Sequence, residues 1–174
     1  LLNFNEINET GNVTGHIRVG TTTAENSAFA YYPLPGNPLA GDMWFNSTYD
    51  AYNKELYMRP GSYWNAAVPH EIGHALGLSH TQDMKNFFGK AYGLNLSIGS
   101  VDNANPYSIM SYFEYVGDRT KDGQENMIAG PVGLSINDIK ALQYLYGVNE
   151  QFNAGDNVYT LDNLMGETLA KTYP

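Results

Sequence analysis

Residues 70–80 read HEIGHALGLSH and hold three of the four histidines in this 174-residue chain. They match the pattern H-E-x-x-H-x-x-G-x-x-H at every fixed position. Because His70 and His74 are four residues apart, a helix would place both imidazoles on one face, where their nitrogens can bind one Zn²⁺. Gly77 lets the chain leave the helix with a positive φ, and His80 then returns as a third nitrogen ligand.

Within the same stretch, different residues are candidates for metal binding and for catalysis. Glu71 lies too far round the helix from His70 to be an obvious ligand, but it can reach a water at the metal. Three protein ligands leave one position of a tetrahedral zinc site open, which is typical of catalytic zinc. A single histidine is more often a surface or core residue, and His16, in a predicted strand, is interpreted as a surface residue.

The composition narrows the class of protein. Apolar residues make up 43% and charged residues 16%, which excludes a disordered acidic chain. The net charge of −9 argues against a nucleic-acid partner. No stretch approaches the roughly 18–20 apolar residues that span a bilayer, so no membrane is expected either. With no cysteine, a metal has only histidine, carboxylate, tyrosine or backbone oxygen as ligands.

Local patterns predict an α+β arrangement in which short strands come before two helices. Strands are predicted at residues 12–19, 27–32 and 42–46. The first helix is predicted to begin after Asn65 as N-cap and to end at Gly77.

The second helix has clear signals at both ends. It is predicted to begin at Ser135, with Asp138 as the capping-box partner, and to end at Gly147. Four apolar residues at helical spacing make one apolar stripe on this helix: Ile136, Ile139, Leu142 and Leu145.

Residues 70–80 resemble the long zinc signature of the metzincin endopeptidases. Residues 107–113, YSIMSYF, are similar in particular to the serralysin branch of secreted bacterial zinc proteases. The resemblance implies that Met110 is the methionine of a turn beneath the metal. It also implies that Tyr112 is an additional, movable zinc ligand. Met110 taken alone would be interpreted as core packing.

Two further stretches resemble the same family. Residues 41–46 (GDMWFN) are similar to the strand before its active-site helix, and residues 137–147 are similar to its C-terminal helix. In that comparison Asp138 would bond to backbone near the methionine turn; from sequence alone it is equally a helix cap. The resemblance therefore implies a metzincin-type fold, a twisted mixed sheet with an active-site helix and a C-terminal helix.

The resemblance covers residues 1–147, which predicts a catalytic domain there and a C-terminal extension at 148–174. The family's N-terminal strand and long helix have no counterpart, and residues 148–174 resemble only the lead-in to its calcium-binding β-roll. A truncated form is therefore expected. Thr81 stands where serralysins usually have proline, so the loop after His80 is expected to run differently.

The implied activity is hydrolysis of internal peptide bonds by a secreted, extracellular, monomeric enzyme. Zn²⁺ would activate a water, Glu71 would act as general base, and Tyr112 would donate a hydrogen bond to the oxyanion. Protein or peptide substrates would lie along a strand edge near residues 27–32. A protein inhibitor is a further implied partner.

Two alternatives stay open. A matrix-metalloprotease-like enzyme would lack Tyr112, and the absence of cysteine argues against the disulfide-bonded astacins. A catalytically silent zinc-binding module on the same fold fits the incomplete N-terminal segment but not the presence of Glu71. Calcium is a further candidate at Asp118, Asp122 and Glu125, although a solvated acidic loop is the favoured interpretation because their spacing is not that of an EF-hand.

Overall fold

The computed structural model describes residues 2–24, 27–48, 60–83, 103–113, 130–152, 154–156 and 158. These residues form three short strands followed by two helices. The elements are β1 (Val19–Thr22), β2 (Ala28–Ala30), β3 (Met43–Asn46), α1 (Tyr63–Ala75) and α2 (Ile136–Tyr146). The predicted α+β order of strands before helices is therefore confirmed for this part of the chain.

The sheet is mixed and has the strand order β1-β3-β2. The central strand β3 runs parallel to β1 and antiparallel to β2. Trp44 of β3 pairs with Gly20, and a Cβ on that glycine would lie 2.8 Å from the indole ring, so only glycine leaves room there. In the described residues β2 pairs along one edge only, with β3.

The strand predicted at residues 12–19 is wrong. Thr10 and Val13 form only an isolated bridge, and β1 begins at Val19. Pairing with β3 starts only where the Met43 N–H donates to the carbonyl oxygen of Arg18 at 2.8 Å. A strand needs a partner for its backbone groups, so the earlier alternation of apolar residues has no sheet to join. His16 is exposed in a bend, on the surface but not in a strand.

A buried carboxylate fixes the approach to β3. Asp42 accepts from the Arg18 guanidinium through both of its oxygens, with 2.8 Å between Nε and Oδ1. The same guanidinium also donates to the carbonyl oxygen of Pro38 at 2.9 Å. The hydrogen bonding to Asp42, together with the charge of that carboxylate, raises the pKa of Arg18. The ion pair thereby joins the start of β1 to the turn before β3.

Helix α1 begins three residues earlier than predicted. Ser62 is the N-cap, and its hydroxyl accepts from the Asn65 N–H at 3.3 Å. Serine and asparagine are equally good caps, so the local pattern did not distinguish the two positions. Pro69 therefore lies inside the helix, where it lacks the N–H for one backbone bond. The helix ends at Ala75 with Leu76 as its C-cap, and the predicted stop residue Gly77 follows with a φ of +96°.

Helix α2 has the predicted ends. The Ser135 N–H donates to the Asp138 carboxylate at 2.8 Å, and Gly147 has a φ of +85° after the last turn. The Tyr146 hydroxyl donates to the Leu76 carbonyl oxygen at 2.8 Å, so α2 caps a carbonyl that the end of α1 leaves without an intrahelical partner.

The apolar stripe of α2 is covered only in part. Only its middle reaches the core, where Ala141 and Leu142 pack against a buried cluster of Leu78, Ile109 and Met110. The other stripe residues are exposed: Ile136, Ile139 and Leu145. Periodicity marks the apolar face of a helix but not how many turns a neighbour covers.

Some predictions fall outside the described residues. They concern the calcium candidates Asp118, Asp122 and Glu125 and most of the extension at 148–174, and they stay predictions. Among the helices that the structure describes, none is both long and apolar enough to cross a lipid bilayer.

Candidate metal centre

Three imidazoles converge at the end of α1. His70 and His74 project from successive turns of the helix, and the chain turns at Gly77 to bring back His80. The Nε2 atom of His80 lies 3.2 Å from that of His70 and 3.0 Å from that of His74. The three residues predicted as ligands thus form one cluster of nitrogen atoms.

The hydrogen bond made by Nδ1 decides which nitrogen of each imidazole is free to bind a metal. In all three rings Nδ1 lies 2.8 Å from an oxygen that can only accept a hydrogen bond. A neutral ring must therefore carry its proton on Nδ1 and a lone pair on Nε2. The acceptors for His70, His74 and His80 are, in that order, the Ile109 carbonyl, the Leu78 carbonyl and the Asp83 carboxylate.

Three lone pairs that face one another repel unless a cation lies between them. In a tetrahedral zinc site with Zn–N bonds of about 2.0–2.1 Å, ligand nitrogens are about 3.3–3.4 Å apart. The separations of 3.0 and 3.2 Å are close to that edge length. Imidazole nitrogens together with a phenol oxygen, without sulfur, are a ligand set that suits Zn²⁺. The residues present therefore fit zinc.

Burial keeps two of the rings in the neutral, metal-binding form. It lowers the pKa of His70, and it lowers that of His74 to about 4. The hydrogen bonds to the Ile109 and Leu78 carbonyls act in the opposite direction but are the smaller effect. At neutral pH both imidazoles are therefore able to donate a lone pair.

Glu71 follows His70 on α1 and is buried. The residue is only 5% exposed, and its Oε2 has no hydrogen-bond partner in the part of the chain described. Burial raises the pKa of this carboxyl to about 7. Glu71 is not one of the clustered ligand residues, as the helix geometry predicts. A buried acid with an unpaired oxygen beside a metal site can accept a proton from a water.

Tyr112 approaches the imidazoles from the methionine turn (residues 107–113). Its hydroxyl lies 2.7 Å from Nε2 of His80 and donates to that lone pair. Its ring stacks on that of His70 with centroids 5.8 Å apart. The residue is 65% exposed, so solvent borders the ring while the hydroxyl faces inward. Burial of that hydroxyl raises its pKa.

Met110 lies against the helix that carries two of the histidines. It is 1% exposed, and its Sδ would be 2.6 Å from a Cβ placed on Gly73. Gly73 therefore allows α1 to approach the methionine turn closely. Sequence reasoning missed it, although a glycine just before the second histidine of the motif is a readable signal of close packing.

Asp138 connects α2 to the methionine turn. One carboxylate oxygen accepts from the Ser108 hydroxyl at 2.6 Å, and the other accepts from the N–H groups of Ile109 and Ser135 at 2.8 Å each. Both sequence interpretations of this residue, as helix cap and as partner of the turn, are therefore confirmed. Because the Ile109 carbonyl accepts from His70, Asp138 acts on that imidazole through one residue.

Thr81, which follows His80 where serralysins usually have proline, makes a backbone bond. The Thr81 N–H donates to the Met110 carbonyl oxygen at 3.4 Å, a bond that proline cannot make. The Asp83 N–H donates to the His80 carbonyl oxygen at 3.1 Å and closes a turn. Sequence reasoning missed Asp83; an acid three residues after the last histidine was the available signal.

The edge strand β2 leads to the same centre. Tyr32, two residues after β2, packs edge-to-face on the His74 ring with centroids 5.4 Å apart. Burial and the charges of Asp83 and Glu71 raise its pKa. Sequence reasoning missed Tyr32 because no local pattern marks it.

At the start of the strand, the Ser27 and Tyr63 hydroxyls form a hydrogen bond that joins the strand to α1.

Comparison with known proteins gives several relatives, although no protein-family model matches the chain. Serralysin B of Dickeya chrysanthemi is 36% identical over 142 residues, or 80% of this chain and 27% of the relative. Metallopeptidase AprA of Pseudomonas marginalis is 32% identical over 158 residues, or 87% and 32%. Serralysin of Proteus mirabilis is 31% identical over 179 residues, or 95% and 35%. The chain therefore spans about a third of the length of these relatives or less, and the predicted resemblance is confirmed over most of this chain.

Proposed function

We propose, from the premise that this chain is a serralysin-like metalloprotease sequence, that it hydrolyses internal peptide bonds of proteins with the help of zinc. One observation carries the proposal. Three Nε2 lone pairs converge beside a buried glutamate whose Oε2 is unpaired in the described structure. His70, His74 and His80 hold the metal, and Glu71 supplies the base.

Bound zinc would supply Lewis acidity, which lowers the pKa of a water to about 7 and polarises the scissile carbonyl. Glu71 accepts the proton of the attacking water and later passes it to the leaving amine. Its unpaired Oε2 supports this role because that oxygen is not already held by a donor. No covalent bond forms between the substrate and the protein.

Tyr112 donates a hydrogen bond to the oxyanion that develops on the substrate carbonyl. Two features support this role: its hydroxyl lies 2.7 Å from Nε2 of His80, within the histidine cluster, and the residue is 65% exposed, so solvent borders its ring. The His80 lone pair cannot both accept the Tyr112 proton and bind a metal. With zinc bound, the phenol would therefore need another partner: Tyr112 would help to hold the metal at rest and would donate to the oxyanion during hydrolysis.

The fold that we propose is the metzincin fold, with residues 1–147 as its catalytic part and residues 148–174 as an extension. The mixed sheet, the histidine-bearing helix, the buried Met110 and the turn at Gly77 support it. Substrate would bind as an extended strand along the edge of β2 that does not pair with β3 in the described residues, close to the imidazoles. The resemblance to serralysins supports a secreted, extracellular and monomeric enzyme that a protein inhibitor can block.

Both alternatives have an observation against them. The bond between Tyr112 and His80 favours a serralysin-type site over a matrix-metalloprotease-type site, which would lack the tyrosine. The buried Glu71 favours an enzyme over a silent zinc-binding module.

Zinc removal from the 174-residue chain tests the proposal. We expect a chelator to abolish the digestion of casein and added Zn²⁺ to restore it. His74→Ala should lose both zinc and activity, whereas His16→Ala, which removes the exposed histidine outside the cluster, should keep both. Zinc-loaded protein that never cleaves casein would favour the silent module. Cleavage that persists in metal-free protein would refute zinc catalysis.

A further inference from the structure

We infer that Asp83 is a positioning residue of the metal centre: its carboxylate orients the His80 imidazole and strengthens that ring as a zinc ligand. The inference rests on the proposed function, because it requires His80 to bind zinc. It concerns a residue outside the H-E-x-x-H-x-x-G-x-x-H pattern.

The three ligand rings are not held alike. The Nδ1 groups of His70 and His74 donate to neutral backbone carbonyls, those of Ile109 and Leu78. The Nδ1 group of His80 donates to a carboxylate, at 2.8 Å from Oδ2 of Asp83. A hydrogen bond to an ionised acceptor is roughly twice as strong as one between neutral groups. Of the three ligand rings, only that of His80 therefore hydrogen-bonds to a carboxylate.

His80 also needs an anchor more than the other two ligands do. His70 and His74 project from α1, whose backbone fixes where their side chains begin. His80 lies beyond the helix, after the turn at Gly77, in a segment without regular structure. There the Asp83 N–H closes a turn onto the His80 carbonyl oxygen at 3.1 Å. That turn brings the carboxylate back to the ring three residues earlier.

The carboxylate has an electronic effect as well as a steric one. By accepting from Nδ1–H, it increases the electron density on Nε2, the atom that faces the other two histidines. It also brings a negative charge close to a set of ligands that consists of three neutral rings, which favours a doubly charged cation there. Both effects favour bound zinc over the metal-free site.

The hydrogen bond between His80 and Asp83 is partly accessible to solvent. Its effect on zinc binding can therefore be told apart from an effect on folding stability. The Asp83 side chain is 58% exposed and that of His80 is 20% exposed. A solvent-exposed bond to a carboxylate adds little to folding stability. Loss of Asp83 should therefore weaken zinc binding much more than it changes the unfolding of the metal-free chain.

The test measures the zinc dissociation constant of the 174-residue chain by competition with a chromogenic chelator. We expect Asp83→Ala to raise the zinc Kd about 10–100-fold, the usual effect of removing such a partner. Asp83→Asn keeps an oxygen acceptor and the side-chain size without the charge, so its Kd should rise less. Asp156→Asn, which removes one exposed carboxylate elsewhere in the chain, is the matched control and should leave the Kd unchanged.

The outcomes separate this inference from the proposed function. A native chain that binds no zinc would refute both. A native chain that binds zinc and shows the same Kd after Asp83→Ala would refute the positioning role alone. A lowered unfolding midpoint of metal-free Asp83→Ala, with an unchanged Kd, would assign the residue to stability instead. If Asp83→Ala does not fold, the isosteric Asp83→Asn decides: a native Kd refutes the role of the charge.

Discussion

The sulfur of Met110 occupies the space that a side chain on Gly73 would need, since a Cβ there would lie 2.6 Å from Sδ. Gly73 stands between the two histidines of α1, and Met110 is 1% exposed, so neither partner has room to withdraw. The separation between α1 and the methionine turn is therefore set by the absence of one methyl group.

Gly73→Ala should destabilise the chain. Overpacking a buried contact costs about 1–3 kcal/mol, whereas alanine in a helix gains at most about 1 kcal/mol over glycine. We therefore expect the free energy of unfolding, measured in urea, to fall by up to about 2 kcal/mol. Gly133→Ala is the control, because a Cβ there meets nothing within 4 Å. A Gly73→Ala protein at least as stable as the native chain would contradict the tight contact.

Glu71→Gln should retain zinc and lose activity. The residue is not part of the histidine cluster, so metal content should stay at one zinc per chain. An amide cannot accept the water's proton, and kcat should fall by at least about 10²-fold. Metal analysis and casein digestion on the same sample measure both effects. Native turnover in a zinc-loaded variant would exclude Glu71 as the base.

Tyr112→Phe should lower kcat with little change in KM or zinc content. Removing one oxyanion donor typically costs about 10²–10³-fold in kcat, or roughly 2.7–4 kcal/mol of transition-state stabilisation. The three histidines remain to hold the metal. Tyr144→Phe removes a hydroxyl from an exposed tyrosine of α2 and should leave the kinetics unchanged. If both variants turn over at the native rate, the oxyanion role of Tyr112 is wrong.

Asp138→Asn should destabilise the methionine turn. The carboxylate is 2% exposed and accepts from Ser108, Ile109 and Ser135, and an amide offers only one oxygen to these donors. Leaving one buried donor without a partner costs about 1–3 kcal/mol. Urea denaturation should show at least that loss in Asp138→Asn, with Asp156→Asn as the matched control. Equal stability of the two variants would argue against these bonds.

Tyr146→Phe should weaken the contact between the two helices. The variant loses the hydrogen bond from the phenol to the Leu76 carbonyl oxygen while keeping the ring. A typical intramolecular hydrogen bond contributes about 0.5–1.5 kcal/mol, so the free energy of unfolding should fall by about that amount. Tyr144→Phe on the same helix should unfold like the native chain. If Tyr146→Phe also unfolds like the native chain, the hydrogen bond from Tyr146 to Leu76 does not contribute to stability.

The sequence alone determined what depends on spacing along the chain. A four-residue step on a helix puts His70 and His74 on one face, and Gly77 is the residue that can turn the chain back toward His80. The ends of α2 could be predicted from the sequence as well, because the capping residues lie next to the helix in the chain. Residue type and register carry this information without any knowledge of the rest of the fold.

Only the tertiary structure decided which groups meet across the chain. The start of β1 depends on its pairing with β3, and the burial of α2 depends on how far the core reaches along it. The contact of Met110 with Gly73 and that of Tyr32 with His74 join residues more than 30 positions apart. Asp83 is near in sequence, yet its role depends on the orientation of the His80 ring. Such contacts follow from packing in three dimensions, which no local period or cap encodes.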